Sequence, residues 1–232
     1  MLLGLVGMTV PVAIVAPMVH TAEAATVDRS VHAELGKESG WKLSHSESGV
    51  QVYEKPIAIL GQTGWMGVTT IPASVSRDRL FSVLGDTESH ARINKALAES
   101  VIVSRAGSVT TFYQVLKAPS YAPMADRWWV SRAEEVRDAQ GTPGHLRRQW
   151  SSLPRSEGED IRARLRSRYP DAVEVPHSHG RWDLIPLPDG STKVIYRIVT
   201  DPGGAIPKGL ASRFAGRSVA DNILTMVSAA GG

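Results

Sequence analysis

The chain has 232 residues, 42% hydrophobic and 21% charged, the balance of a soluble globular protein with one ordinary domain. Disorder, collagen and a polytopic membrane protein are excluded as descriptions of the whole chain. A net charge of +3 does not form the dense basic stripe of a nucleic-acid binder. The absence of cysteine excludes a disulfide scaffold, a zinc–thiolate site, a cysteine nucleophile and a lipidated cysteine anchor.

No charged residue occurs from Leu2 to Val19, and Ala22-Glu23-Ala24 fits the small-x-small rule of a cleavage site. Residues 1–24 are therefore expected to be a signal peptide, with Pro11 and Pro17 weakening a spanning helix. The alternative reading of the same run is an uncleaved anchor at the inner membrane. Export places residues 25–232, a single domain, in the periplasm or outside the cell.

A short helix is expected over Ser30 to Lys37. Trp41 to His45 and Val50 to Lys55 read as strands joined at Glu47-Ser48-Gly49. Gly64 to Ile71 is a third strand, ended by Pro72-Ala73-Ser74, where Ser74 or Ser76 can cap a helix. Val75, Leu80, Phe81 and Leu84 follow a helical period, and a second helix is expected from about Glu88 to Leu97. Strand patterns then dominate: 101–105, 108–117, 127–137, 145–152, 172–175, 180–186 and 192–200. A final helix is expected from about Pro207 to Ser228, weakened at Gly216. So many hairpin-linked strands imply a bent antiparallel sheet, with the last helix as its only long cover. The class is α+β, and such a grip encloses a cavity suited to an apolar ligand with one polar end. Periodicity alone also allows a sandwich.

Particular residues narrow this. Gln114-Val115-Leu116-Lys117-Ala118-Pro119 precedes Asp126-Arg127-Trp128-Trp129-Val130-Ser131-Arg132. Then come Gly180-Arg181-Trp182-Asp183-Leu184-Ile185-Pro186-Leu187, Thr192-Lys193-Val194-Ile195-Tyr196-Arg197, and Asp201-Pro202-Gly203-Gly204-Ala205-Ile206-Pro207. Gly49-Val50-Gln51-Val52-Tyr53 and Ile71-Pro72-Ala73-Ser74 fit as well. In this order the chain resembles the START lipid-transfer domains, of the exported bacterial type. The resemblance implies a helix-grip fold, a curved antiparallel sheet around a long C-terminal helix, holding one lipid in an internal hydrophobic tunnel. It implies no cofactor, metal or covalent chemistry, and a gate formed by the loop 118–125 with the last helix. Tyr121 and Met124 in that loop would touch ligand or membrane, or simply pack on the helix.

Strand alternation puts Trp128, Val130 and Arg132 on one face. If that face lines the cavity, Arg132 is a candidate polar anchor for a ligand, since a guanidinium keeps its charge and needs an acceptor. A structural ion pair or a surface position are the other readings. Some START domains pair this arginine with an acid on the preceding strand, and Tyr113-Gln114-Val115 contains none. Trp182, Leu184 and Tyr196 are expected to line the same space or the core. Ile206, Leu210 and Phe214 form an apolar stripe on the last helix, with Leu210 and Phe214 as ligand candidates.

His177 and His179 could face one metal ion, but no third ligand is evident. The catalytic signatures of a Gly-x-Ser-x-Gly elbow, a phosphate-binding loop or His-Glu-x-x-His do not occur. Arg155 to Arg168 reads as a short helix with acids first and bases last, either a solvated surface or a contact to anionic lipid heads. The expected function is non-enzymatic: a monomer that binds one sterol- or phospholipid-like molecule for transfer or sequestration, with transient membrane contact and no nucleic acid. A cyclase or aromatase acting on a hydrophobic substrate is the alternative.

Overall fold

Alternating strands and short glycine turns assemble one sheet, whose two faces then receive different helices. The computed structural model describes residues 19–119, 124–204 and 208–231, apart from the side chains of 19–27 and 208–215. In chain order the elements are α1 (Val19–Gly36), β1 (Lys42–Glu47), β2 (Val50–Ile57), β3 (Gln62–Ile71), α2 (Arg77–Gly85), α3 (His90–Ile93), β4 (Leu97–Ala106) and β5 (Val109–Leu116). There follow β6 (Arg127–Val136), β7 (Leu146–Ser152), α4 (Glu159–Arg168), β8 (Val173–Glu174), β9 (His177–Pro186), β10 (Thr192–Asp201) and α5 (Lys208–Ala229). The strand order is β1-β2-β3-β10-β9-β7-β6-β5-β4, with the short β8 beside β6. Neighbours on the main path are antiparallel, and β8 alone pairs in parallel. The expected α+β architecture, a curved sheet with a long C-terminal helix, is therefore the one observed.

Local chemistry accounts for most boundaries. Glu47 pairs with Val50 across the two-residue turn Ser48-Gly49, and both turn residues have positive φ, 48° and 80°. That is the backbone twist a tight hairpin needs. Ser76 caps α2, its side chain accepting from the Arg79 amide at 3.2 Å. The helix expected over Glu88 to Leu97 is shorter than its pattern. A 3-10 turn at Thr87–Ser89 leads into α3, and the chain is extended at Asn94. There the Asn94 side chain accepts from the Ala96 amide at 3.0 Å, a local bond that competes with the helical ladder, and β4 begins at Leu97.

Both faces of the sheet are covered, where a single cover was expected. On the concave face, Val219, Ala220, Ile223 and Met226 of α5 pack with Val50, Val52, Trp65 and Tyr196, and α2 adds Leu80, Phe81 and Leu84. On the convex face, α1 docks Val31 and Leu35 against Ile57 and Val199. The insertion 155–168, expected to be a surface helix, contributes Ile161 and Leu165 to a buried cluster over β5 and β6. The expected cut after Ala24 falls within the helical span of α1, ahead of its docking residues, and residues 1–18 lie outside the described residues. Among the described residues no helix is long and apolar enough to cross a membrane.

The convex face also buries charge. Asp183 accepts from His145 Nε2 at 2.9 Å, Arg147 Nε at 2.6 Å and Arg197 Nη1 at 2.9 Å, and it pairs with Arg181 at 3.0 Å. These donors and cations overcome the burial of its carboxyl and hold it at about 2. Arg197 continues to Glu38 at 3.0 Å, tying the segment after α1 to β10.

The seat of α5 requires glycine. A Cβ on Gly67 would lie 2.5 Å from Ile223 Cδ1 and 2.7 Å from Val219 Cγ1. Gly216 serves the same contact from the helix side, with the Trp65 ring 3.0 Å from where its Cβ would be. The absent side chain at Gly216 permits close packing, and α5 runs through it without a break. Gly67→Ala is expected to destabilise the protein by about 1–3 kcal/mol through overpacking, measured by urea denaturation.

Candidate functional site

The concave face carries an aromatic wall. Trp182 on β9 stands directly opposite Tyr196 on β10, and the rings stack at 4.2 Å with a 20° interplanar angle. Trp150 on β7 approaches Tyr196 at 6.0 Å and 24°. Its indole crosses Gly180, where any Cβ would collide with the ring. Leu184 faces the same way and joins Leu146 and Val194 in the α2 end of the core. Burial pushes the Tyr196 phenol up, so it stays neutral and contributes a flat apolar surface. Trp182, Leu184 and Tyr196 are thus brought together as alternation predicts.

Beside this wall lies an ion pair with a buried arginine that sequence reading missed. Arg148 on β7 stands opposite Glu135 on β6. Its Nη1 donates to Glu135 Oε1 at 2.5 Å and its Nη2 to Thr87 Oγ1 at 2.8 Å. The guanidinium lies over the Phe112 ring at 6.0 Å. Burial lowers the Arg148 pKa and the Glu135 carboxylate opposes that shift. A signal was present: Arg148 has the strand parity of Trp150, and Glu135 mirrors it across the turn linking β6 and β7. Next to the pair, Gln114 Nε2 donates to Ser100 Oγ at 2.9 Å and meets His90 Nδ1 at 3.3 Å. His90 Nε2 meets the Val83 carbonyl at 3.1 Å, which puts the ring proton on Nε2 and leaves Nδ1 to accept. Burial holds His90 down at about 4.

The structure corrects the placement of three expected residues. Trp128, Val130 and Arg132 do share a face, but it is the convex one. Trp128 and Val130 pack with Val115, Leu153, Ile161 and Leu165, because α4 covers that side. Arg132 pairs with Glu157 in the approach to α4, and its side chain is 44% exposed. It borders a convex cleft of about 540 Å³ that Asp28, His32, Ser151 and Glu157 also line. It is placed as a surface ion pair, away from the concave wall.

The loop 118–125 is fixed at its stem. Lys117 pairs with Asp126 at 2.7 Å, and Asp126 accepts from the Ala118 amide at 2.9 Å. Arg127 is 4% exposed. Its guanidinium donates to the carbonyls of Ala125, Pro202 and Gly203, joining the loop to the turn that leads into α5. Met124 is half-buried in this loop. Tyr121 lies outside the described residues, as do the side chains of Leu210 and Phe214 at the start of α5.

His177 and His179 stack on the convex face at 6.2 Å. His179 is 3.3 Å from Ser151 Oγ and 3.5 Å from Asp28, and His32 Nε2 is 3.0 Å from the same Oγ. Among the described residues no group of three or more histidine or carboxylate side chains could hold a metal ion. Burial, followed by the positive charges of Arg181 and Arg147, pushes His32 down to about 4, and burial pushes His179 to about 3.

No family model matches the chain. It is 29% identical over 175 residues to an uncharacterized protein of Pseudomonas aeruginosa, covering 75% of this chain and 78% of that one. Among solved structures it is similar to a STAR-related lipid transfer protein fragment from Xanthomonas axonopodis, with TM-score 0.68, 21% identity, and coverage of 84% of this chain and all of that one. Human StAR-related lipid transfer protein 5 matches with TM-score 0.74 and 15% identity, over 91% of this chain and 98% of that one. The protein therefore has the START helix-grip fold, the class to which the sequence motifs pointed.

Two outcomes follow from this geometry. Arg132→Leu is expected to change stability by less than about 1 kcal/mol. Glu135→Ala, which leaves the buried Arg148 with Thr87 as a remaining partner, is expected to cost about 1–3 kcal/mol, both read from urea midpoints. The unfolded chain protonates histidine near 6.5, while the buried His32, His90 and His179 resist it to about 4, 4 and 3. Stability should be full above 6.5 and fall as pH drops toward 4. His90→Gln should flatten that slope in thermal melts across the range.

Proposed function

We propose that the protein binds a single apolar or amphipathic lipid between the concave face and α5, and carries or sequesters it without chemical change. The observation that supports this most is the stacked wall of Trp150, Tyr196 and Trp182, bordered by a paired Arg148–Glu135 and approached from the latched 118–125 loop. An apolar surface with a few placed polar groups at one side suits a ligand that is mostly hydrocarbon. The names of solved proteins sharing the fold, STAR-related lipid transfer proteins, agree with it. Binding is favoured over catalysis in that two titratable groups of the concave face, Glu135 and His90, are each committed to protein partners. In this reading residues 1–24 direct export, the mature domain acts as a monomer in the periplasm or outside the cell, and it meets membranes transiently to exchange its ligand.

Native mass spectrometry of residues 25–232 purified from the natural host tests the proposal. One lipid per protein, released with its mass unchanged after incubation, is the expected result. A protein that is empty and takes up nothing from total host lipid overturns it. Conversion of the bound molecule would replace it with the enzyme reading.

A further inference from the structure

We propose that Ser131, at one end of a row of hydroxyl side chains across the concave face, seats the polar end of the bound molecule, and that this end is an uncharged hydroxyl or carbonyl group. The inference rests on the lipid-binding reading and adds the chemistry of the ligand. Ser131 on β6 stands opposite Ser152 on β7. Ser152 Oγ accepts from the Ser178 amide on β9 at 2.7 Å. Ser178 stands opposite Thr200 on β10, with their hydroxyl oxygens 3.4 Å apart. Four adjacent strands therefore present four hydroxyls in one line. Their parity is that of Trp150, Gly180 and Tyr196, so they project toward α5 and not toward α1 or α4. The row lies one step along the strands from Trp150, whose Nε1 donates to Ser178 Oγ at 3.4 Å. On its other side is the stem of the 118–125 loop, reached through Arg127 on the same face of β6.

Ser131 carries the argument. It is fully buried, yet its Oγ has no hydrogen-bond partner. A buried hydroxyl left unpaired is destabilising, and native structures rarely keep one without a use. An incoming hydroxyl or carbonyl oxygen supplies the missing partner at Ser131, with the half-buried Ser152 on the adjacent strand beside it. A phosphate would demand a cation as well. The buried concave-face guanidiniums among the described residues are already engaged, Arg148 by Glu135 and Thr87, Arg127 by three carbonyls. A charged head would be desolvated against neutral hydroxyls, which do not offset that cost.

The test incubates residues 25–232 with vesicles of phosphatidylethanolamine and phosphatidylglycerol carrying equal small fractions of octadecanol, cholesterol and octadecane, and weighs the loaded protein by native mass spectrometry. Wild type is expected to retain octadecanol or cholesterol at one per chain in preference to either phospholipid. Ser131→Ala should lower retention of the hydroxylated probe about tenfold, the loss of one hydrogen bond to a buried partner, and leave octadecane unchanged. The substitution removes a group without a protein partner, so the melting temperature of the variant should not fall, which separates lost binding from lost folding. Equal retention of the hydroxylated probe by wild type and variant, or a phospholipid as the retained species, overturns the inference while the binding reading stands. A wild-type protein that retains none of these molecules overturns both.

Discussion

The approach of α5 to β3 is the contact on which the concave side depends. Helix and sheet meet where both have given up a side chain: Gly67 under Ile223 and Val219, and Gly216 over the Trp65 ring. Close packing at these two points brings the second half of α5 down onto β2 and β3. The β6, β7 and β9 portion of the concave face, with Trp150 across Gly180, is then left to aromatic and polar side chains rather than to the helix itself. A helix that sat higher would lose dispersion contacts along its length.

The opposite face solves a different problem. An antiparallel sheet of this width can leave one side to water, but here α1 and α4 cover it, and the strands must bury residues in both directions. Apolar residues meet α4 and the docking turn of α1, while charged ones gather round Asp183. One carboxylate serves three arginines and a histidine, and Glu38 assists from the segment after α1. Such a cluster is a poor source of net stability and a good source of orientation. It sets where α1 ends relative to β9 and β10.

The two faces differ in how they hold their buried charge. Charged groups on the convex side are partnered to fix helices, whereas the buried guanidiniums of the concave side, Arg148 and Arg127, are engaged by Glu135, Thr87 and backbone carbonyls. Arg127 links two distant segments, because its acceptors are Ala125, at the end of the 118–125 loop, and Pro202 and Gly203, in the turn after β10.

Strand positions, the hairpins, the Ser76 cap and the long last helix were legible in the residues, because turn chemistry and period-two alternation are local. Alternation also grouped Trp128, Val130 and Arg132 correctly, and grouped Trp182, Leu184 and Tyr196 correctly. It could not say which face of the sheet either group would occupy. A period of two is symmetric between faces, and only the packing of α4 over β6 broke that symmetry and sent Arg132 outward. The same limit applied to Arg148 and Glu135, since their parity across the β6–β7 turn was readable but not that the face they share would bury the arginine. Local chemistry determined the strands, the turns and the companions of each side chain; tertiary packing alone decided what was inside, because inside is defined by the element that arrives to cover it.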